Sequence, residues 1–206
     1  MKVTREQWLM VLALVLVATI CTVLLGMVDE VTQGPITQAE QDTLYAALVE
    51  VLPPHQNDPI HDVLHISDAD TGPVTLYLAR DGQGKVNGAA FEVVAPDGYS
   101  GNIFILLGVD RDGQVHAIRV TNHHETPGLG DGIVKNHRWV DSFAGRGLVG
   151  TRWAVKKDGG DFDQFTGATI SPRAVVNAVR RGLEFYQRHQ DQVAAADRVA
   201  AAPGGV

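Results

Sequence analysis

The feature that most constrains this chain is an uncharged apolar run near its N-terminus. From Trp8 to Val28 the sequence reads WLMVLALVLVATICTVLLGMV. About 20 helical residues, at a rise of roughly 1.5 Å each, span a hydrocarbon core of about 30 Å. The sequence therefore predicts one transmembrane helix over residues 8–28, with everything after Val28 folding on one side of the membrane.

The charged residues on either side of this run predict its orientation. Lys2 and Arg5 precede it, whereas Asp29 and Glu30 follow it. Positively charged flanks favour the cytoplasmic side of a membrane. Residues 1–7 are therefore expected in the cytoplasm and the main domain outside it.

Two other interpretations of the run are a cleaved signal peptide and a buried helix of a soluble protein. A signal peptide usually has a shorter apolar region and a small-x-small cleavage site, and residues 22–31 offer no convincing one. A lipoprotein signal is disfavoured by Ile20, which precedes Cys21 where a small residue is wanted. The uncleaved anchor is the favoured interpretation.

Composition excludes several classes of protein. A formal net charge of −7 gives no support for nucleic-acid binding, because phosphate backbones are bound by clustered Lys and Arg. Cys21 is the only cysteine, which excludes an internal disulfide, a cysteine-based zinc or iron–sulfur site and a C-x-x-C-H haem motif. Any redox chemistry therefore requires a cofactor that is not held by sulfur.

The 206 residues leave room for one ordinary core and an accessory segment. We expect a linker over residues 29–36, an extracytoplasmic domain over residues 37–190 and a flexible tail over residues 191–206. Thr37-Gln-Ala-Glu40 has the spacing of a capping box, and apolar residues follow at helical intervals. They predict a helix from about Gln38 to Leu52, ended by two prolines.

The middle of the chain predicts antiparallel strands. Four segments rich in β-branched and aliphatic residues are separated by Asp- and Gly-containing turns: Val74 to Ala79, Lys85 to Ala95, Asn102 to Val109 and Gln114 to Thr121. The short spacing leaves no room for crossover helices, so neighbouring strands are expected to run antiparallel. The polar stretch HQNDPIHD before them predicts a loop.

The C-terminal part predicts two helices and one further strand. We expect a short helix around residues 136–144, a strand over residues 150–155 and a last helix that begins after Ser171. Apolar residues at helical spacing predict the buried stripe of this last helix: Val175, Val176, Val179, Leu183 and Tyr186. Ser is a favoured N-cap, and Pro172 suits the first helical position because its missing N–H costs nothing there. The expected fold class is α+β, an antiparallel sheet with flanking helices, preceded by one N-terminal transmembrane helix.

The segment Asp163-Gln-Phe-Thr-Gly-Ala-Thr169 lies just before this last helix. A helix N-terminus offers unpaired N–H groups and a positive dipole end, which suit a phosphate. Thr169 would present a hydroxyl there on a turn of small residues, with the acidic Asp163 nearby. From spacing alone, a turn and a helix cap remain the simpler interpretation.

The same residues match a known motif. Asp163, Thr166, Gly167, Ala168 and Thr169 fit D-x-x-[ST]-G-A-[ST], and the segment resembles the FMN-binding domain shared by RnfG and NqrC, membrane subunits of ion-translocating electron-transfer complexes. In that family a flavin transferase moves FMN from FAD onto the last hydroxyl of the motif. The resemblance implies FMN bound covalently to Thr169 as a phosphoester.

A second segment carries the same resemblance. His123-His-Glu-Thr-Pro-Gly-Leu-Gly130 is similar to the family's H-x-E-T-P-G-L-G loop, which is thought to lie beside the flavin ring. The resemblance implies that this loop contributes to cofactor binding, through Glu125, Thr126, Gly128 and Leu129. From the residues alone, the Pro-Gly turn suits a planar ring against backbone.

Two alternatives concern neighbouring side chains. The histidines His123 and His124 could suggest a metal, but their spacing fits no standard zinc signature, so no metal is expected. Large aromatic residues could flank a flavin ring, although at such spacing they more often belong to the core: Trp139, Phe143, Trp153 and Phe165.

The resemblance implies an electron-relay subunit in the bacterial inner membrane, with no complete reaction of its own. Its partners would be the membrane, other membrane subunits of an Rnf-type complex and, during maturation, the flavin transferase. Chain length favours the RnfG type, whose complex passes electrons between ferredoxin and NAD while moving sodium ions or protons. The alternatives are an NqrC-like subunit of the sodium-pumping NADH:quinone reductase and a non-redox, membrane-anchored binding or assembly module.

Overall fold

A computed structural model describes residues 5–68 and 71–200. Within it the chain divides into two compact units, one up to Leu44 and one from Tyr45 onwards. The first unit consists of most of helix α1, which spans Arg5–Val51. The second unit holds the sheet, the remaining helices and the candidate site.

Helix α1 contains the predicted membrane segment. Over Trp8–Pro35 it is long and apolar enough to cross a membrane, and none of this stretch is buried. The prediction of a linker over residues 29–36 is wrong, because the helix continues through it with Pro35 inside. Local side-chain bonds accompany the helix there: Thr32 Oγ1 donates to the Val28 carbonyl at 2.9 Å, and Gln33 Nε2 to Asp29 Oδ2 at 2.8 Å.

Five antiparallel strands form one sheet in the order in which they occur along the chain. They are β1 (Val63–Asp68), β2 (Gly72–Arg80), β3 (Val86–Gly98), β4 (Gly101–Asp110) and β5 (Val115–Asn122). This confirms the four predicted strands and the α+β class. Sequence reasoning missed β1, a six-residue edge strand in which only Ile66 is buried and in which His, Ser and Asp make up half of the residues.

Helix α4 (Ile170–Ala200) covers one face of the sheet. Its predicted apolar stripe is confirmed as buried: Val175, Val176, Val179, Leu183 and Tyr186. Gly182 lets the helix approach closely, since a Cβ there would lie 2.6 Å from Leu107 Cδ2. On the opposite face, Gly108 abuts the carbonyl of Val51 in the last turn of α1, as expected because neighbouring residues of a strand point to opposite faces.

Between β5 and α4 the chain forms short elements. These are α2 (Gly132–Lys135), α3 (His137–Asp141) and one 3₁₀ turn (Lys156–Asp158). Helix α3 confirms a predicted helix in shorter form, capped by Asn136 Oδ1, which accepts from Trp139 N at 3.2 Å. The prediction of a strand over residues 150–155 is wrong, since only Val155 forms a bridge, with Phe162, and Ala154 N bonds locally to the Arg152 carbonyl.

The C-terminal tail also differs from expectation. Residues 191–200 continue α4, whereas residues 201–206 lie outside the described residues. The helix is tied to the sheet here, because Val193 is buried and Asp197 Oδ1 accepts from Val86 N at 2.6 Å. The same carboxylate lies 3.7 Å from the Arg80 guanidinium. The alanine-rich composition of this segment gave no indication that Val193 and Asp197 make tertiary contacts.

Asp197→Ala is expected to lower the free energy of unfolding by about 1–2 kcal/mol, because the partly buried Val86 N–H loses its acceptor. Urea unfolding followed by tryptophan fluorescence measures the change. Asp191→Ala is the matched control, since this aspartate is exposed on the same helix. Equal stability of the two variants would contradict the assigned contact.

Candidate functional site

The segment that carries the predicted acceptor forms a tight turn, Phe165–Ala168. Ala168 N donates to the Phe165 carbonyl at 3.1 Å. Gly167 has φ +80°, as the third residue of a type II turn requires, and only glycine adopts that value without strain. The turn leaves Thr166 exposed and Thr169 half-buried at its end.

Thr169, and not Ser171, is the residue at the N-terminus of α4. The helix begins at Ile170, and the Thr169 carbonyl accepts the first helical bond, from Arg173 N at 3.2 Å. The prediction of Ser171 as N-cap is therefore wrong, because the hydroxyl of Ser171 is buried and bonded to Glu125. The Thr169 hydroxyl forms no hydrogen bond within residues 5–68 and 71–200, and it lies beside the free N–H groups of the first turn.

Two ion pairs flank the acceptor turn. Lys156 Nζ lies 2.7 Å from Asp163 Oδ1, and both side chains are largely exposed. Arg173, one helical turn after Thr169, donates to both oxygens of Asp158 at 2.7 and 3.1 Å. This guanidinium holds the pKa of Asp158 below its usual value. One ion pair, Lys156–Asp163, therefore precedes the acceptor turn, and the other, Arg173–Asp158, involves the helix that follows it.

The loop His123–Gly130, here called the cofactor loop, is held in a compact turn. The Thr126 carbonyl accepts from the N–H groups of Leu129 at 3.1 Å and Gly130 at 3.0 Å. Gly128 has φ +79°, which favours glycine. Thr126, Gly128 and Leu129 are exposed, and Leu129 keeps 48% of its surface accessible. The loop thus presents backbone and the apolar side chains of Pro127 and Leu129 to the outside.

Asp131, which directly follows the cofactor loop, stabilises it by a hydrogen bond to its backbone. The sequence motifs alone did not indicate this role. Its Oδ1 accepts from Gly128 N at 2.8 Å, and its Oδ2 accepts from Lys135 Nζ at 2.5 Å. Lys135, foremost, and the Gly128 N–H lower the pKa of the Asp131 carboxyl. A signal was available, since an Asp directly after Gly-Leu-Gly and before a helix often bonds to nearby backbone.

The stabilising effect of Asp131 is expected to depend on pH. Its pKa is lowered in the folded state, so its contribution is present above the usual carboxyl pKa and is lost as pH falls through the folded value. Asp131→Asn should therefore lower the unfolding midpoint at pH 7 and have progressively less effect below about pH 4. Thermal unfolding across pH measures this, and a difference that grows on acidification would contradict it.

Glu125 is a buried residue of the cofactor loop, with only 4% of its surface exposed. Its Oε1 accepts from Ser100 N at 3.1 Å, and its Oε2 accepts from Ser171 Oγ at 2.5 Å. The side chain is thus directed towards protein groups, which leaves little of its surface for direct contact with a ring. Its backbone N–H donates to His123 Nδ1 at 3.1 Å.

The two motifs, far apart in sequence, meet in the folded chain. A Cβ on Gly167 would lie 3.4 Å from Leu129 Cδ2, so the acceptor turn and the cofactor loop are in contact. Behind them, the Phe165 ring packs over Gly132, where a Cβ would come within 2.8 Å. Three exposed apolar residues lie in or next to these segments in sequence: Leu129 in the loop, Ile170 directly after Thr169, and Tyr99 directly before Ser100.

The aromatic residues form core rather than an open stacking surface. Trp139, Phe143 and Phe162 are buried, and Trp153 and Phe165 pack against them. Trp139 Nε1 also donates to the Asp163 carbonyl at 2.7 Å. The cluster therefore supports the start of the acceptor motif from behind.

The histidines of the cofactor loop do not assemble a metal site with their neighbours. His123 is half-buried and bonded to the loop backbone, whereas His124 is exposed. In the part of the chain that the structure describes, no three His, Cys, Asp or Glu side chains are grouped as metal ligands.

Comparison with known proteins agrees with this arrangement. The FMN-binding domain family matches residues 98–184, which include the cofactor loop and the acceptor turn. The crystal structure of Shewanella oneidensis NqrC has a similar fold, with a TM-score of 0.51 and 21% identity over 67% of this chain and 74% of that one. At this identity the likeness concerns the fold alone.

Relatives of known name are similar along almost the whole chain. The G subunit of the ion-translocating oxidoreductase complex from Aliivibrio fischeri is 43% identical over 203 residues, covering 94% of this chain and 95% of that protein. The protein of the same name from Cereibacter sphaeroides is 43% identical over 190 residues, covering 89% and 86%. The chain belongs to the family of G subunits of the ion-translocating oxidoreductase complex.

Proposed function

We propose that this chain is an electron-relay subunit of a membrane-bound, ion-translocating electron-transport complex of the Rnf type, and that it carries FMN esterified to Thr169. The observation that carries the proposal is the position of the Thr169 hydroxyl. It stands half-buried and unbonded within the described residues, at the N-terminus of α4 and two residues after Gly167, which contacts Leu129 of the cofactor loop. The family match over residues 98–184 supports FMN as the cofactor.

The residues present fit FMN. The N–H groups of the first turn of α4 suit the negative charge that a phosphodiester keeps. Arg173 and Lys156 flank the same turn, but each is paired with an aspartate, Asp158 and Asp163 respectively, so the helix N-terminus is the main source of positive potential there. Leu129 and Thr126 would lie against the ring, and Gly128 and Gly167 keep the approach free of side chains.

Attachment would proceed by transfer from FAD. The Thr169 oxygen forms a new bond to the FMN phosphorus, the phosphoanhydride bond breaks, AMP leaves and the hydroxyl proton is released. A flavin transferase would supply the catalysis, with Asp163 and Thr166 as parts of the segment that it recognises. Bound FMN accepts one or two electrons, and linkage through its phosphate leaves the ring chemistry unchanged.

The Rnf type is favoured over the Nqr type by the relatives, which bear the name of the G subunit and align along nearly their full length. Other membrane subunits of the complex would be the partners of this chain. The helix over Trp8–Pro35 would be its single span in the inner membrane. Electrons would enter and leave the subunit through those partners.

One measurement on the purified protein tests the proposal. The chain, produced with an active flavin transferase, should have an intact mass that exceeds the bare chain by one FMN less water. It should also show a flavin absorption band at roughly 450 nm. A colourless protein of unmodified mass would instead support a non-redox binding or assembly module.

The orientation in the membrane is a separate prediction. Because Lys2 and Arg5 precede the apolar helix and acidic residues follow it, a reporter fused after Pro203 should be extracytoplasmic. Paired alkaline phosphatase and green fluorescent protein fusions measure this, with phosphatase activity and a dark fluorescent protein expected. The reverse pattern would contradict the orientation and the proposed route of flavin attachment.

A further inference from the structure

Three segments of the candidate site meet at a single carboxylate. Glu125 belongs to the cofactor loop, Ser100 to the turn between β3 and β4, and Ser171 to the first turn of α4. Glu125 accepts one hydrogen bond from each of the other two. No other side chain of the described residues bonds to both of these segments.

The carboxylate occupies a slot that its neighbours leave open. A Cβ on Gly98 would lie 2.9 Å from Glu125 Oε1, and a Cβ on Gly130 would lie 2.7 Å from Oε2 and 2.8 Å from Ser171 Oγ. Side chains at either glycine would therefore displace the hydrogen bonds. The buried site fits a carboxylate or a group of the same shape, with little freedom to move.

The slot is close to the acceptor along the chain. Ser171 is 1% exposed and lies two residues after Thr169, in a helical turn of fixed geometry. The hydrogen bond from Ser171 to Glu125 therefore fixes the N-terminal end of α4, next to the acceptor Thr169. Without Glu125, Ser171 Oγ would lack its buried acceptor, and the first turn of α4 would be free to separate from the cofactor loop.

We infer that Glu125 is a positioning residue: it fixes the Thr169 hydroxyl against the cofactor loop and so sets how the acceptor and its flavin are presented. This inference rests on the proposed function. It differs from the role implied by the family resemblance, in which Glu125 would contact the ring. The physical basis is that a reacting group displaced by about 1 Å can lose on the order of 100-fold in rate.

The experiment compares full-length variants in their rate of flavin attachment by purified transferase with FAD. Glu125→Ala should lower the rate of flavin attachment at least tenfold. In the fraction that does carry flavin, the circular dichroism of the flavin absorption band should be weaker, because this signal depends on a fixed environment around the ring. Glu125→Gln should retain most of the rate, because its amide oxygen can accept from Ser100 N and its amide N–H can donate to Ser171 Oγ. Ser171→Ala removes only one of the two hydrogen bonds that Glu125 accepts, so it should give an intermediate rate.

Asp197→Ala is the control for stability, since it weakens the same domain at the other end of α4. It should be labelled at the wild-type rate and keep the wild-type dichroism. A Glu125→Ala protein with wild-type rate and dichroism would overturn the inference while leaving the proposed function intact. If Glu125→Ala does not fold, a wild-type rate for Ser171→Ala would overturn it equally. Absence of covalent flavin from the wild-type chain would overturn both proposals.

Discussion

Thr169→Ala is expected to abolish covalent flavin. The wild-type chain, denatured and run on a gel, should keep a fluorescent flavin band, because heat and detergent break contacts but not a phosphoester. The substitution removes the oxygen that forms the ester, so the band and the added mass should both disappear. Thr169→Ser keeps an oxygen at nearly the same place and should retain part of the signal.

Thr166→Ala is the matched control for this experiment. Thr166 lies three residues earlier in the same motif, is exposed at the turn and carries the same hydroxyl group. Its flavin should be retained, although a reduced yield is expected if the transferase recognises this position. Loss of flavin from Thr166→Ala but not from Thr169→Ala would place the acceptor at Thr166, and retention in both would place it outside the motif.

Gly108→Ala is expected to destabilise the domain by about 3 kcal/mol or more, which exceeds the usual cost of overpacking because the obstacle is backbone. A Cβ at this position would lie 1.8 Å from the Val51 carbonyl oxygen. Neither β4 nor the last turn of α1 can yield without breaking its own hydrogen bonds. Urea unfolding of the full chain in detergent, followed by tryptophan fluorescence, measures the loss.

Gly147→Ala is the control for this prediction. A Cβ there would meet only Gln114 Cγ, at 3.6 Å, which is an ordinary contact. Its stability should lie within about 0.5 kcal/mol of wild type. Equal unfolding midpoints for the two alanine variants would show that α1 does not end against this face of the sheet.

Several predictions from sequence were confirmed because they depend on local pattern. The four predicted strands, β2 to β5, follow from aliphatic segments and Gly-containing turns, and the close spacing dictates antiparallel pairing. The apolar stripe of α4 follows from helical periodicity, and each of its five predicted residues is buried. The family resemblance rested on motif residues that lie within the matched FMN-binding domain.

Errors arose where a local signal competed with tertiary contacts. Ser171 has the chemistry of an N-cap, yet its hydroxyl bonds to a carboxylate 46 residues away, and the helix begins earlier, at Ile170, directly after Thr169. The alanine-rich tail suggested disorder, but Val193 and Asp197 attach it to the core and the sheet. Residues 29–36 were predicted as a linker, although helix α1 runs through them and contains Gly34 and Pro35.

By itself, the sequence determined the apolar helix, the antiparallel sheet and the motif that presents Thr169, since length, periodicity and turn chemistry are properties of neighbouring residues. Only the tertiary structure decided that Glu125 turns inward to join three segments, and that Asp131 supports the loop with Lys135. The aromatic cluster likewise became core through packing. These outcomes depend on which residues far apart in sequence meet in the folded protein, where buried polar groups must find hydrogen-bond partners. A local sequence pattern contains no information about those distant partners.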